Sequence, residues 1–329
     1  MDLTDCLSEI YFVTVERKVV VGRDSQARVD RISVINNWSL SGVKNPRKLS
    51  PVEKDFRERV GNSKQCFIPV ELNDSPDFDY QREIGYLIDA FDMLPTRPDF
   101  AFESAWKALE SETVVYDPRS TITNRMIKLA EKADFRIVMK LAEAIPVQAC
   151  KYLFKIIVTD YIPSSARGAS SNNGAVQESR RLDSVADKSR QLSTLFDFMR
   201  QNFDSSDANS VREGALLLRH ALRGDPVHMG DSNFPYLEDR ARAYLLIPLY
   251  LYSTRNDRFH ADFSSPFISG VATVRTYTLP YHAFLVAYHM LLEMWLRNRP
   301  NVVSGDINSV IALLDQNLFF MNDIFGNNW

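Results

Sequence analysis

The residues best suited to chemistry lie in the segment YSTRNDRFHADF, residues 252 to 263, which adjoins the apolar run YLLIPLYLY. Within it, Arg255, Asn256 and His260 form the string R-N-x-x-x-H. On a helix, Asn256 and His260 are one turn apart and share a face, and Arg255 lies about 140° around the axis from His260. The long side chain of Arg255 can span that angle. The string therefore predicts one polar pocket that holds all three residues.

Such a pocket suits the cleavage of RNA without a metal ion. The 2′-hydroxyl of RNA can attack the adjacent phosphate, so the protein has to move protons and stabilise charge but supplies no nucleophile. Histidine titrates near neutral pH, and a guanidinium group can hold the two non-bridging oxygens. We therefore expect His260 as acid or base, Arg255 as the phosphate ligand and Asn256 as the orienting residue, with no cofactor and no metal.

The string RNDRFH resembles the R-x4-6-H signature of the HEPN superfamily of all-helical nucleases, in which a polar residue follows the arginine. Its setting is also similar, between the apolar segments YLEDRARAYLLIPLYLY and LPYHAFLVAYHMLLEMW. The resemblance covers residues 205 to 300 and implies a HEPN-like helical bundle that cleaves RNA as a homodimer, with two such strings at a shared cleft. For prokaryotic members it further implies phage defence, abortive infection or a toxin system, with a regulatory or antitoxin protein as a partner.

The chain contains two further strings with this spacing. RGDPVH, residues 223 to 228, contains Gly and Pro, which predict a loop. RTYTLPYH, residues 275 to 282, contains a Pro that predicts the start of a helix. Only residues 255 to 260 combine the spacing, the asparagine and a helical setting, so we place the site there.

Five residues near this string are candidates for substrate binding. Arginine side chains bind phosphate through a planar fork, and tyrosine rings can stack on unpaired bases. At helical spacing among leucines, tyrosines are alternatively core residues whose hydroxyl reaches water. The candidates are Arg258, Tyr252, Arg275, Tyr277 and His282.

The spacing of the histidines on the next apolar helix argues against a metal site there. His282, His289 and Glu293 share one helical face, but the two histidines are seven positions apart, which corresponds to about 10 Å along the helix. Ligand bonds to one ion are only about 2 Å long. We expect both histidines to be buried and hydrogen-bonded.

Two alternatives to catalysis use the same residues. After Lys188 the chain has no lysine and twelve arginines, which suits a non-catalytic helical module that binds RNA or a protein partner through an arginine-rich face. Alternatively, Arg255 and Arg258 form an ion-pair cluster with Asp257 and Asp262 at a helix end.

The composition sets the class of protein. The 329 residues are 45% hydrophobic with a net charge of −3, which predicts a globular chain whose nucleic-acid binding depends on a local patch. Cys6, Cys66 and Cys150 are far apart and fit neither a disulfide framework nor a zinc knuckle, so we expect a reducing cytoplasm. The apolar runs fall short of the roughly 20 residues that a membrane span needs. We expect no membrane association.

The wider sequence predicts a mainly α fold with additional N-terminal helices and a small N-terminal β element. Residues 1–75 form an N-terminal segment, partly β because residues 1–48 are rich in β-branched side chains. Residues 76–162 form a helical region, and Ser-, Gly- and Asn-rich residues 163–181 form a flexible linker or loop. Residues 182–329 form the HEPN-like helical domain.

Overall fold

The structure, a computed structural model, describes residues 51–62, 65–170, 173–229, 232–234, 236–259 and 272–329. The β element predicted within residues 1–48 lies outside the described residues. The described chain is mainly helical, which confirms the predicted mainly α class. The HEPN-like arrangement of the helices stays a prediction.

The helices of the first half follow one another with short connections. They are α1 (Pro51–Asn62), α2 (Phe78–Met93), α3 (Pro98–Tyr116), α4 (Ile122–Lys132), α5 (Phe135–Glu143), α6 (Val147–Phe154), a π-helix (Lys155–Thr159) and a 3-10 helix (Ser164–Ala169).

The second half begins with helices and contains one small hairpin. Its elements are α7 (Asn173–Ala186), α8 (Arg190–Asn202), α9 (Ala208–Arg223), β1 (Val227–Met229), β2 (Ser232–Phe234), α10 (Asp239–Tyr244), a second π-helix (Leu245–Leu251), α11 (Tyr252–Phe259), α12 (Val274–Asn298) and α13 (Ile307–Phe325). The two strands are antiparallel, with Val227 opposite Phe234.

Helix α12 forms the centre of the core. Every residue from Tyr277 to Trp295 is buried, so this helix is enclosed on all sides, as predicted by a sequence in which apolar residues surround the axis and His282, His289 and Glu293 share one face. It packs against α3 and α13, and α3 in turn packs against α2. Within the described residues, no helix is long and apolar enough to cross a membrane.

The structure differs from the predicted linker at residues 163–181. Residues 173–181 belong to α7, where Val176 and Ser179 lie on the buried face. The Ser179 hydroxyl accepts from the Ile162 amide at 2.7 Å and donates to the Ala175 carbonyl at 2.8 Å. A buried serine with both partners supplied costs little, so a polar segment can form a packed helix.

The structure differs from the predictions made for the two further strings, residues 223–228 and 275–282. The string at residues 223–228 is only partly the predicted loop: Arg223 is the last residue of α9, Gly224 adopts a left-handed φ of 79°, and Val227 and His228 belong to β1. Pro280 does not mark a helix start, since α12 already begins at Val274. Residues of both predicted helical regions, from Tyr80 to Phe325, contribute to one hydrophobic core.

Candidate functional site

The predicted site lies at the end of an unusual helical segment. Helix α10, the second π-helix and α11 follow one another without a break, and Pro248 lies inside the π-helix. Proline has no amide hydrogen, so an ordinary helical ladder would lose a bond there. At the end of the π-helix, the Tyr252 amide donates to the Ile247 carbonyl, five residues earlier, which is the π-helical spacing. π-helical turns of this kind occur often at functional sites, and here one directly precedes the R-N-x-x-x-H string.

Arg255 and Asn256 lie together on α11 as predicted. Nη1 of Arg255 donates to Oδ1 of Asn256 at 3.2 Å. Nη2 of Arg255 lies 3.7 Å from Oε2 of Glu110, which forms an ion pair across to α3. The Arg255 side chain is 25% exposed. The guanidinium is therefore oriented by two neighbours and still reaches solvent.

Glu110 is itself fixed by the helix that carries it. Nε1 of Trp106, one turn earlier on α3, donates to Oε2 of Glu110 at 2.7 Å. Trp106 is fully buried and stacks on Tyr252, with ring centroids 5.8 Å apart and 13° between the planes. Helix α3 thus presents two residues to α11. No sequence motif identified Trp106 or Glu110 as parts of the site.

The other side of Tyr252 is covered by α7. Cζ of Arg181 lies 4.2 Å from the centre of the Tyr252 ring, a cation–π contact. Nη2 of Arg181 donates to the Ser253 hydroxyl at 3.0 Å, and that hydroxyl donates to Oε1 of Glu178 at 2.5 Å. Arg181 also forms an ion pair with Glu178. These contacts join α7 to α11, and both α7 residues fall in the segment predicted as a linker.

The structure places Tyr252 and Tyr277 away from solvent. Tyr252 is 8% exposed between Trp106 and Arg181, and Tyr277 is 1% exposed and stacks on Phe56 at 4.1 Å. Neither ring has an open face on which a base could stack. The core alternative for these tyrosines fits the structure, and the base-stacking prediction does not.

His282 is also part of the core and not of a cleft. Its Nε2 lies 2.9 Å from the Leu141 carbonyl, which can only accept, so this nitrogen carries the proton. Its Nδ1 faces the Tyr250 hydroxyl at 3.2 Å. Burial lowers the pKa of His282 to about 4, so the ring is neutral at pH 7. Substrate binding by His282 therefore does not fit its position.

His289 and Glu293 are buried on the same face of α12, as expected. Nδ1 of His289 lies 2.9 Å from the Leu285 carbonyl, and burial lowers the pKa of this histidine to about 4. Burial raises the pKa of Glu293 to about 7, opposed by Arg297. Among the described residues, no group of three or more His, Cys, Asp and Glu side chains is arranged to hold a metal ion.

The structure describes the other three predicted site residues, His260, Arg258 and Arg275, to different extents. His260 follows the last residue of α11 in sequence and lies outside the described residues. Arg258 lies on α11, but its side chain is not among those described. Arg275 is exposed in the first turn of α12. The structure thus brings Arg255 and Asn256 together and leaves their relation to these three side chains a prediction.

The arrangement can bind an anion. The planar fork of a guanidinium fits two phosphate oxygens, and the Arg255 side chain, held by the Asn256 amide, is 25% exposed. Comparisons with protein-family models, curated proteins and solved structures found no match to this chain.

Proposed function

We propose that this chain is a metal-independent endoribonuclease of the HEPN type, which cleaves RNA by 2′-hydroxyl attack at a site composed of Arg255, Asn256 and His260 from two copies. The observation that carries the proposal is the 3.2 Å hydrogen bond from Arg255 to Asn256 at the end of a π-bulged helix. A simple phosphate clamp has no need of an amide that fixes the guanidinium plane. Cleavage does, because the oxygens that gain charge move little during the reaction.

The chemistry assigns one role to each residue. One His260 removes the proton of the 2′-hydroxyl, whose oxygen attacks the phosphorus. The bond from phosphorus to the 5′-oxygen breaks, and that oxygen takes a proton from the second His260. Arg255 holds the non-bridging oxygens, and Asn256 keeps its fork in plane. The products are a 2′,3′-cyclic phosphate and a free 5′-hydroxyl.

The same proposal extends to partners and setting. RNA is the substrate, the active unit is a homodimer, and the reaction serves phage defence or a toxin system under the control of a regulatory or antitoxin protein. The ion pair of Arg255 with Glu110 fits a nuclease that has to be restrained, since a carboxylate occupies the position that a phosphate would take.

The alternative function is a non-catalytic helical module that binds RNA or a protein through the same arginine-rich face. It is favoured by a specific observation: Arg255 has internal partners, which a purely structural arginine would also have. In that case the charge of Arg255 stabilises the contact between α3 and α11 and the histidine has no chemical task.

Cleavage of a single-stranded RNA in EDTA decides between the two. We expect wild type to cut the RNA and leave a 2′,3′-cyclic phosphate, and a substrate with one 2′-deoxy sugar at the cut site to be inert there. His260→Ala should lose cleavage with little loss of stability. Efficient cutting of the deoxy substrate or of DNA would exclude attack by the 2′-hydroxyl, and binding without cutting would favour the module.

A further inference from the structure

Two arginines far from the R-N-x-x-x-H string converge on one buried thiol. Arg219 and Arg223 are four residues apart on α9 and share a helix face. Cys150, on α6, is fully buried, and the positive charges of both arginines act on its thiol. Helices α6 and α9 pack against each other, and on this face of α9 Arg219 is partly buried and Arg223 is exposed.

Arg219 differs from the other largely buried arginines. Its Nε is shielded from solvent, and its guanidinium forms no hydrogen bond or ion pair with any residue that the structure describes. Arg223 donates from Nε to the Glu143 carbonyl at 3.2 Å, a neutral acceptor. Seven other buried or partly buried arginines of the described chain have a carboxylate beside them: Arg97, Arg167, Arg181, Arg200, Arg242, Arg255 and Arg299. Arg125 also has a shielded Nε and no ion pair, but its Nη1 donates to the Ser120 carbonyl at 2.6 Å.

Within the part of the chain that the structure describes, no carboxylate forms an ion pair with Arg219 or Arg223. Helix α6 has no acidic residue, and the only one on α9 is Glu213, six positions before Arg219 and on another face. The nearest acids in sequence are already engaged elsewhere. The Glu143 carboxylate pairs with Arg242 at 3.5 Å, and the Asp225 carboxylate pairs with His220 at 2.9 Å.

Burial and mutual repulsion therefore disfavour the positive charges of Arg219 and Arg223. Burial, and then the charge of Arg223, lowers the pKa of Arg219. The negative end of the α9 dipole offsets part of the repulsion, which accounts for an arginine in the last turn such as Arg223. It does not account for a second, partly buried arginine one turn earlier without a partner. An anion at this place would relieve both costs.

We propose that Arg219 and Arg223 form a phosphate-binding site on the α6–α9 face, separate from the R-N-x-x-x-H site. Two guanidinium forks present parallel N–H pairs, which match the oxygens of a phosphate group better than lysine would. The phosphate comes either from the backbone of a single-stranded RNA or from free inorganic phosphate. The site does not require the protein to cleave RNA.

The experiment measures binding without cleavage. A labelled 2′-O-methyl RNA, which cannot undergo 2′-hydroxyl attack, is titrated with the full chain, and binding is followed by fluorescence anisotropy. The variants are Arg219→Gln and Arg223→Gln, with Arg212→Gln as the control because Arg212 is an exposed arginine of the same helix. In a second arm, inorganic phosphate is added at constant ionic strength and the melting temperature is recorded.

If the site binds the RNA backbone, Arg219→Gln should weaken RNA binding about tenfold, the effect of one charge-assisted hydrogen bond. Arg212→Gln should change it by about twofold or less, and inorganic phosphate should compete with the RNA. If free phosphate is the ligand, it should raise the melting temperature of wild type and of Arg212→Gln, but not of Arg219→Gln. The affinity for RNA should then be the same in all of these proteins.

Two outcomes overturn the proposal. Equal losses of RNA affinity in Arg219→Gln and Arg212→Gln, with no effect of phosphate, would mean that RNA is attracted by the overall positive charge of α9 and not bound at a specific site. A fall in the melting temperature of ligand-free Arg219→Gln, with no response to either ligand in wild type, would make Arg219 a structural residue. Neither result depends on whether the chain cleaves RNA.

Discussion

Arg255 depends on geometry as much as on charge, because its fork is oriented by the Asn256 oxygen at 3.2 Å. Lysine keeps the charge but cannot bind two phosphate oxygens and Asn256 in one plane. We expect Arg255→Lys to lose at least about a hundredfold in kcat for RNA, the scale of one lost transition-state donor. Steady-state cleavage of a fluorescent RNA checks this. A variant with the wild-type rate would remove Arg255 from the site.

Glu110 restrains the same guanidinium. Glu110→Gln keeps an oxygen that can accept from Trp106, and it removes the negative charge 3.7 Å from Arg255. Phosphate then no longer competes with a carboxylate, so uncleavable RNA should bind about two- to fivefold more tightly, the strength of a partly exposed ion pair. Anisotropy titration measures the change.

The control for Glu110→Gln is Asp92→Asn, which removes one negative charge from an exposed position of α2. If both variants raise the affinity equally, the gain comes from net charge and Glu110 does not restrain Arg255. The gain should also disappear when Arg255→Gln is added to Glu110→Gln, since no guanidinium is left to release.

At the scale of elements, apolar periodicity predicted most helices well. Residues 76–162 were predicted to be helical, and helices α2 to α6 lie in that range, beginning with α2 at Phe78–Met93. The same criterion failed for α7, because its buried face includes Ser179 and Arg181, whose partners lie on other elements. A prediction from amino-acid composition alone therefore assigns this polar helix to a linker.

The site was predictable only in its local part. Arg255 and Asn256 are adjacent in the chain, so their contact follows from the string itself. Trp106 and Glu110 reach the site through tertiary packing across about 145 residues of sequence, which no local pattern encodes. Tyr277 was misplaced for a related reason: a helix that is apolar on all sides gives no sign of which face meets solvent.

Arg181 and Glu178 of α7 bind Ser253 of α11, and we call this set of contacts the clamp between α7 and α11. Its contribution to stability can be tested by substitution. Arg181→Met would leave the Glu178 carboxylate, 12% exposed, without its cation. Breaking one side of a buried pair costs about 3 to 5 kcal/mol of unfolding free energy. Adding Glu178→Gln should recover much of that loss, because both charges are then gone.

Urea unfolding of the single and double variants measures the clamp. Arg180→Met is the matched control, an exposed arginine next to Arg181 on α7, and should change the unfolding free energy by less than about 0.5 kcal/mol. If Arg181→Met behaves like Arg180→Met, the clamp contributes nothing to the stability of the fold.

At the scale of the whole molecule, buried acids make stability depend on pH. Glu83 accepts hydrogen bonds from Trp295 at 2.8 Å and Ser111 at 2.9 Å. Burial raises its pKa from 4.5 to about 7, Glu112 adds to the rise, and Arg299 opposes it. Because the folded pKa exceeds the unfolded one, the stability due to the bound proton is complete below about pH 4.5 and is lost as the pH rises to about 7.

Glu83→Gln tests this dependence. The amide stays neutral, so the unfolding free energy at pH 7.5, relative to that at pH 5, should be higher in the variant than in wild type. Glu293, whose pKa is raised like that of Glu83, and the buried His282 and His289, whose lowered pKa values act in the opposite direction, contribute equally to both proteins. Urea unfolding at both pH values provides the measurement, and identical slopes in the two proteins would contradict the assignment.

Assembly determines whether the proposed nuclease can work. One chain supplies one R-N-x-x-x-H string, whereas cleavage needs a proton acceptor and a proton donor on opposite sides of the phosphate. A two-fold axis near α11 would bring the second copy of the same string to the cleft, because an isologous interface presents one patch twice. We therefore expect a homodimer in which the two His260 side chains lie closer to each other than to any other histidine of the partner.

Mixing of two inactive variants tests this composite site. Arg255→Ala and His260→Ala homodimers each lack one kind of catalytic group entirely, but a mixed dimer has one intact Arg255 and one intact His260 at the same cleft. Only one of the two proton transfers then has a His260, so mixing should restore only a small part of the cleavage that neither variant has alone, and sedimentation should give twice the chain mass for every protein. If each chain carried its own complete site, mixing would restore nothing, and a fully active monomer would leave the second string without a role.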